Sequence, residues 1–399
     1  MGESAAADLA RVEDLSDDQL RARGGIKWTM PPADVLPAWV AETDVAPAPV
    51  ITTALQALVE RGDFGYPPLD VDTGVPQALS RYTHDRWNWS VDPARVVLTG
   101  DVMAGVLLAL TTLCEKAPVV VPTPAYPPFL DVVPLAGLPL VTVPLDPGAR
   151  AELDLDRIGR ALDDGARTVL LCNPHNPWGR AFTRPELEAL RDLVTRHGVR
   201  VISDEIHAPL VLPGATHVPY ASLDGTADHV TTVLSASKAW NLPGLKCAQV
   251  VAGNDSDTAV LRALPIVANH GLATPGVAAT LAAYRDGQPW LDAWVRRLGD
   301  NRDLFHRLVG QRLPGVRLRP LEATYLAWLD VRGLGFGGTE PDGTPHPVPS
   351  EVALRRGRVM VNDGRTFGPG GEGHVRVNLA TSPERLERVV DALAHAWLG

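Results

Sequence analysis

The sequence predicts an α/β protein: a large domain on a doubly wound, mostly parallel seven-stranded sheet, with a smaller α+β C-terminal domain. Three observations carry this. Short runs rich in Val, Leu and Ile are apolar at consecutive positions, as strands buried on both faces are. Helical patterns lie between several of these runs, and such alternation favours parallel strands. The length, 399 residues, exceeds what one hydrophobic core usually serves.

The strand candidates fall at 95–99, 118–121, 140–144, 168–172, 199–203, 231–234 and 247–252. "DVMAGVLLALTTLC" follows the first as a helix, with Asp101 as its N-cap. "TRPELEALRDLVTRHG" has Thr183 as cap, Pro185 in the first turn and Gly198 at its end. From about Pro275 the pattern is helical as far as Arg312. Residues 315–399 mix short strands, a Gly/Pro-rich stretch at 333–349 and a last helix over 383–397. We divide the chain into 1–45 (an N-terminal arm and part of the small domain), 46–285 (the large domain) and 286–399 (the small domain). There is no internal repeat.

Apolar residues make up 45% and charged residues 21%, as in ordinary soluble domains. A net charge of -10 argues against nucleic acid or acidic membranes as general partners. No apolar run has the length of a membrane span. The opening "MGESAAADLARVEDLSDD" is acidic, lacks the order of a secretion signal and reads as a loose arm. Cys114, Cys172 and Cys247 are scattered among apolar neighbours, which predicts reduced thiols and a cytoplasmic protein. No cluster of ligands at metal spacing is present.

In open α/β sheets, function gathers where strands end. "TGDVMAGV" starts a helix directly after a strand, and its free amides suit a phosphate; a plain capped turn is the alternative. "CNPHNPWG" sets Asn176 in an extended, turning backbone, as an amide donor or simply an Asn-Pro turn. In "ISDEIHAP", Asp204 is the first acid after an apolar run; it is either a sheet-edge carboxylate that needs a cation or a helix cap. His207 lies in the same segment and suits a structural role as well as a chemical one. "SASKAWNLPGLK" places Lys238 just past a buried strand among small hydroxyl residues, where an amine is costly unless its pKa is put to use. Phosphate-binding amides, a donor amide, a sheet-edge aspartate and a dry lysine together describe a site for pyridoxal phosphate, whose aldehyde forms a Schiff base with lysine.

These segments, with "WVAETDVAPAPVITTAL", "GDFGYP", "TPAYPPF" and "VRVNLATS", resemble the class I/II aminotransferase superfamily of fold-type I (aspartate aminotransferase-like) pyridoxal phosphate enzymes. "SDEIH" and "FGYP" are similar to its cystathionine β-lyase branch, the MalY/PatB type. The resemblance covers roughly 39–380 and implies a role for each matching residue. Lys238 is the Schiff-base lysine and moves the α-proton. Asp204 pairs with the pyridine nitrogen, Asn176 and His207 face the phenolic oxygen, and Tyr126 stacks on the ring. The amides of Val102 and Met103, with Ser235, Ser237 and Lys246, hold the phosphate. Arg376 forks onto the substrate α-carboxylate. Tyr66 reaches into a neighbouring subunit's site, which implies a homodimer.

The chain departs from the pattern at Glu42-Thr43, where the branch often has Asp-Met, and at Lys246, where many aminotransferases use arginine. Trp178 replaces a small residue and is expected to narrow the pocket. The resemblance implies a carbon–sulfur β-lyase that converts an L-cysteine thioether to thiol, pyruvate and ammonia. An aminotransferase uses the same core residues and is the alternative. A regulatory or binding protein on this fold is a second alternative, opposed by the intact Lys238, Asp204 and Arg376.

Overall fold

The seven apolar runs pair into one sheet in a computed structural model that describes residues 11–145, 148, 150–269, 271–339 and 346–399. We label its strands β1 (Val96–Thr99), β2 (Val119–Thr123), β3 (Leu140–Pro144), β4 (Thr168–Cys172), β5 (Arg200–Asp204), β6 (Val230–Leu234) and β7 (Ala248–Ala252). Their order is β1-β7-β6-β5-β4-β2-β3. Only β7 runs antiparallel to its neighbours. Central strands β4 and β6 are buried at every position, which is why they read as unbroken apolar runs rather than alternating ones. Strand β5 runs one residue further than the apolar pattern, so Asp204 is its last residue rather than the first beyond it.

The helix signals hold. Asp101 Oδ1 accepts from the Ala104 amide (2.9 Å) and starts the helix Val102–Thr112. Thr183 and Glu186 form a reciprocal capping box for Arg184–His197, which ends at left-handed Gly198. The long helical pattern divides at Gly287 into Thr274–Asp286 and Gln288–Arg312. Beyond it, β8 (Arg317–Leu318), β9 (Leu326–Asp330), β10 (Asn362–Asp363) and β11 (His374–Asn378) form an antiparallel sheet in the order β10-β11-β9-β8. The helix Pro383–Leu398 follows. Part of the Gly/Pro-rich stretch, 340–345, lies outside the described residues, as does 1–10 of the N-terminal arm.

The described part of that arm is not loose, contrary to its composition. Ser16 caps a short helix, Asp17–Ala22, and Arg385 bonds Asp17 Oδ1 through Nε (2.9 Å) and Nη2 (2.7 Å). Acidity suggested a solvated tail; here the acid faces a nearly buried arginine.

One extended segment, 38–45, lies between the two sheets and is fastened to both. Asn378 Nδ2 donates to the carbonyls of Val40 (2.6 Å) and Glu42 (2.8 Å). The Thr43 amide donates to Asn241 Oδ1 (3.1 Å). At its end Asp44 accepts from Lys27 Nζ (2.9 Å) and Trp28 Nε1 (2.8 Å), all of them buried. Removing one partner of a buried pair strands the other charge. Asp44→Ala should therefore lower unfolding free energy by about 3–5 kcal/mol, read as a reduced urea midpoint. A loss below about 1 kcal/mol, the range of a surface pair, contradicts this.

Candidate active site

The ends of β4, β5 and β6 and the N-terminus of helix Val102–Thr112 surround a cavity of about 250 Å³. Val102, Met103, Tyr126, Asn176, Asp204, His207, Ser235, Ser237, Lys238, Lys246 and Arg376 all line it. The separate strand ends singled out in the sequence are thus one place. Tyr66 is the exception. It is 89% exposed and lies outside the cavity, on a loop held by Thr274 Oγ1 donating to the Gly65 carbonyl (2.6 Å).

Lys238 leaves the turn after β6 and donates from Nζ to the carbonyl of Ala41 (3.2 Å). Its amine meets the cavity, but protein encloses it on the other sides. This desolvation, with the nearby Arg376 charge, pulls its pKa down to about 8; Glu42 and Asp204 oppose the shift. Asp204 ends β5 and accepts from the Ile206 amide (3.0 Å). Burial pushes its carboxyl up to about 7, against the Ile206 amide and the Lys238 charge, with Glu205 adding to the rise. His207 is buried, and burial followed by the Lys238 charge lowers it to about 3, so its ring is neutral. Its Nδ1 has no hydrogen-bond partner among the described residues.

Arg376 stands in the middle of β11 and is buried. Its Nη1 donates to Asn176 Oδ1 (3.0 Å), and its Nη2 to Asn362 Oδ1 (2.8 Å) and the Trp39 carbonyl (3.2 Å). The Phe367 ring lies 5.0 Å from its Cζ. All these acceptors are neutral, so the charge is oriented but not cancelled; burial still lowers its pKa to about 10. With Oδ1 committed to Arg376, the Asn176 amide nitrogen is the group left to donate into the cavity.

At the other end, Lys246 Nζ pairs with Asp101 Oδ2 (2.8 Å), beside the helix N-terminus. Ser235 Oγ donates to the Cys247 carbonyl (2.8 Å) and accepts from the Ser237 amide (3.0 Å), fixing the turn that leads to Lys238. Gly100 is required here by packing: a Cβ on it would come within 2.8 Å of the Gly271 carbonyl oxygen.

Trp178 does not narrow this cavity. It is buried on the far side of the "CNPHNPWG" turn, with its ring 6.3 Å from those of Trp328 and His374. Ala41, Tyr325 and Asn362 were not assigned roles from sequence. Tyr325 Oη shares the Ala41 carbonyl with Lys238 (3.1 Å). The "WVAET" segment was visible as a family motif, but a main-chain acceptor has no residue-type signal; Asn362 belonged to no motif.

The residues present fit pyridoxal phosphate. Asp204 is a buried carboxylate with no cation within 4 Å among the described residues, a partner that a protonated ring nitrogen would supply. Lys238 offers an amine that loses its proton near neutral pH. Lys246 and the helix N-terminus suit the phosphate.

The Asp204 shift has a stability consequence. Its folded pKa, about 7, exceeds the ordinary 3.8. Its contribution is therefore fully present below about pH 4 and is lost as pH rises toward 7. Asparagine, a neutral isostere, escapes the loss. Cofactor-free Asp204→Asn protein should melt above the parent at about pH 8, with the gap closing toward about pH 4. A variant that melts below the parent at the higher pH contradicts the assignment.

The family model for aminotransferase class I and II matches residues 40–393. The cystathionine beta-lyase of Corynebacterium glutamicum is 37% identical over 94% of this chain and 98% of its own. Cystathionine beta-lyase PatB of Bacillus subtilis is 34% identical over 90% of this chain and 93% of its own. A crystal structure from Corynebacterium diphtheriae, of a protein assigned as a PLP-dependent beta-cystathionase, superposes with a TM-score of 0.89. It is 36% identical and covers 98% of this chain and 100% of its own. The chain belongs to the class I and II aminotransferase family.

Proposed function

We propose that the protein is a pyridoxal phosphate-dependent carbon–sulfur β-lyase that cleaves an L-cysteine thioether to thiol, pyruvate and ammonia. The observation that carries the amino-acid chemistry is the shared cavity of Lys238, Asp204 and Arg376, in which no two of these charges pair within 4 Å. Elimination rather than amino transfer rests on the relatives named as cystathionine beta-lyases.

Pyridoxal phosphate, when bound, supplies an electron sink for the bond changes at the substrate α-carbon. Asp204 would keep the ring nitrogen protonated, and the Ile206 amide holds that carboxylate in place. Asn176 and His207 would meet the phenolic oxygen, and Tyr126 would cover the ring. Lys246, Ser235, Ser237 and the amides of Val102 and Met103 would hold the phosphate. Arg376 receives the α-carboxylate; Asn176 and Asn362 hold its two terminal nitrogens, so the fork is preorganised. Lys238 Nζ takes the α-proton, a task suited to an amine whose pKa lies near 8.

Tyr66 completes the site from a second copy of the chain. Its loop carries Phe64, Tyr66 and Leu69, exposed by 70, 89 and 73%, more apolar surface than a solvated loop needs. We assign the protein to the cytoplasm from its reduced thiols; no helix among the described residues is long and apolar enough to cross a membrane.

The decisive assay incubates purified enzyme with a panel of cysteine thioethers. Pyruvate and free thiol should appear in equal amounts without a keto acid. Amino transfer to a keto acid without pyruvate would make the protein an aminotransferase. The shared site is tested by subunit exchange. Tyr66→Phe and Lys238→Ala dimers should each be impaired, and mixing them should restore part of the pyruvate production, because one site of each heterodimer carries neither change. No recovery despite proven exchange would remove Tyr66 from the partner's site.

A further inference from the structure

Directly after Asp204 comes a second buried carboxylate that the proposed reaction does not use. Glu205 is fully enclosed and does not line the Lys238 cavity. Its amide donates to the Val233 carbonyl of β6 (2.9 Å), so the backbone is still extended there. Successive side chains of extended backbone leave opposite faces. Glu205 therefore stands behind the strand end from which Asp204 enters the cavity.

Three donors meet it. Ser203 Oγ (2.8 Å) and the Tyr220 amide (2.9 Å) both donate to Oε1. His217 Nε2 lies 2.9 Å from Oε2. Ser203, His217 and Tyr220 are themselves buried, and the Trp87 ring packs edge-on against the imidazole at 5.2 Å. Hydrogen bonds to the charged form favour it, so a carboxyl met by three donors is ionised.

The state of His217 decides whether that charge is cancelled. Its Nδ1 is buried and has no hydrogen-bond partner among the described residues. An imidazolium would place an N–H there with nothing to receive it. A buried N–H without an acceptor is rare, and an underused acceptor less so. A neutral ring with its proton on Nε2 serves Glu205 and leaves only a lone pair at Nδ1. No lysine or arginine nitrogen lies within 4 Å of Glu205 among the described residues. The cluster thus carries one uncancelled negative charge.

That charge acts on Asp204. Cys172 stands beside Asp204 in the β4–β5 ladder, and Tyr126 shares its cavity. Burial raises the thiol and the phenol, so both stay neutral, as does His207. Lys238 and Arg376 are the cations in front of Asp204; Glu205 is the anion behind it. A like charge disfavours ionisation, so Glu205 makes Asp204 hold a proton, or a protonated partner, more firmly.

We propose that Glu205 is a positioning residue for the cofactor: through Asp204, its buried charge keeps the proton on the pyridine nitrogen. Ser203, Tyr220 and a neutral His217 keep that charge intact. The proposal rests on Asp204 facing the ring nitrogen, and not on the choice between elimination and amino transfer.

The test is nitrogen NMR of holoenzyme loaded with pyridoxal phosphate isotopically labelled at the ring nitrogen, read over the pH range in which the protein stays folded. The parent should keep its ring protonated, and Asp204→Asn should not. Glu205→Gln removes the charge and keeps the shape. Its ring should lose the proton at lower pH than the parent's, with a shift between those of the parent and Asp204→Asn. His217→Gln keeps a donor toward Glu205 and keeps the charge, so it should match the parent. A Glu205→Gln shift that follows the parent's, or His217→Gln displaced as far as Glu205→Gln, overturns the proposal. A protonated ring in Asp204→Asn overturns the Asp204 reading as well, which separates the two failures. The parent's own His217 resonances give a reading that needs no variant to fold. They should show a neutral ring protonated on Nε2 at neutral pH; an imidazolium there would cancel Glu205 and overturn the proposal.

Discussion

Everything in the structure is arranged around charges that are enclosed but not neutralised. Lys238, Asp204 and Arg376 share one cavity, and each is held by neutral groups: the Ala41 carbonyl, the Ile206 amide, and the side-chain amides of Asn176 and Asn362. Taking such ions from water costs several kcal/mol each after relaxation. Pairing Lys238 with Asp204 would lower that cost and disable both. The fold instead keeps them apart, and the cost appears as an aspartate that holds its proton to about 7 and a lysine that releases its own near 8. A ligand with a cationic ring nitrogen, an aldehyde and a carboxylate-bearing partner relieves each group in turn.

The separation is maintained by the 38–45 segment. Its carbonyls take Lys238 and Tyr325 at Ala41, Arg376 at Trp39, and Asn378 at Val40 and Glu42. A neutral main-chain acceptor orients a cation without cancelling it, which no carboxylate could do. The segment is anchored where cancellation is wanted, at the buried Lys27–Asp44 pair. The segment thus ties the second sheet to the turn that carries Lys238, and the electrostatics of the site depend on that strip of backbone keeping its position.

Much of this was legible in the sequence for definite reasons. A buried parallel strand needs apolar residues at consecutive positions, so β4 and β6 announced themselves, and the acid that closes β5, Asp204, with the Ser235–Lys238 group just past β6, marked the chemistry. The partners of Arg376 were not legible, because Asn176 and Asn362 approach it from positions far apart in the chain. Trp178 was misplaced because its backbone turns after Asn176: neighbours in sequence there face different cavities. The acidic arm read as loose since composition alone does not reveal that Arg385 waits for Asp17. Tyr66 is recognisable by its motif, yet a single chain gives it no site to enter.

The account stands on the claim that Lys238 is the amine that meets the cofactor. Borohydride reduction of the protein loaded with pyridoxal phosphate, followed by peptide mass spectrometry, tests it directly. The account predicts the reduced adduct on Lys238. An adduct on Lys246, beside the helix N-terminus, or on Lys27, beneath the 38–45 segment, would contradict it.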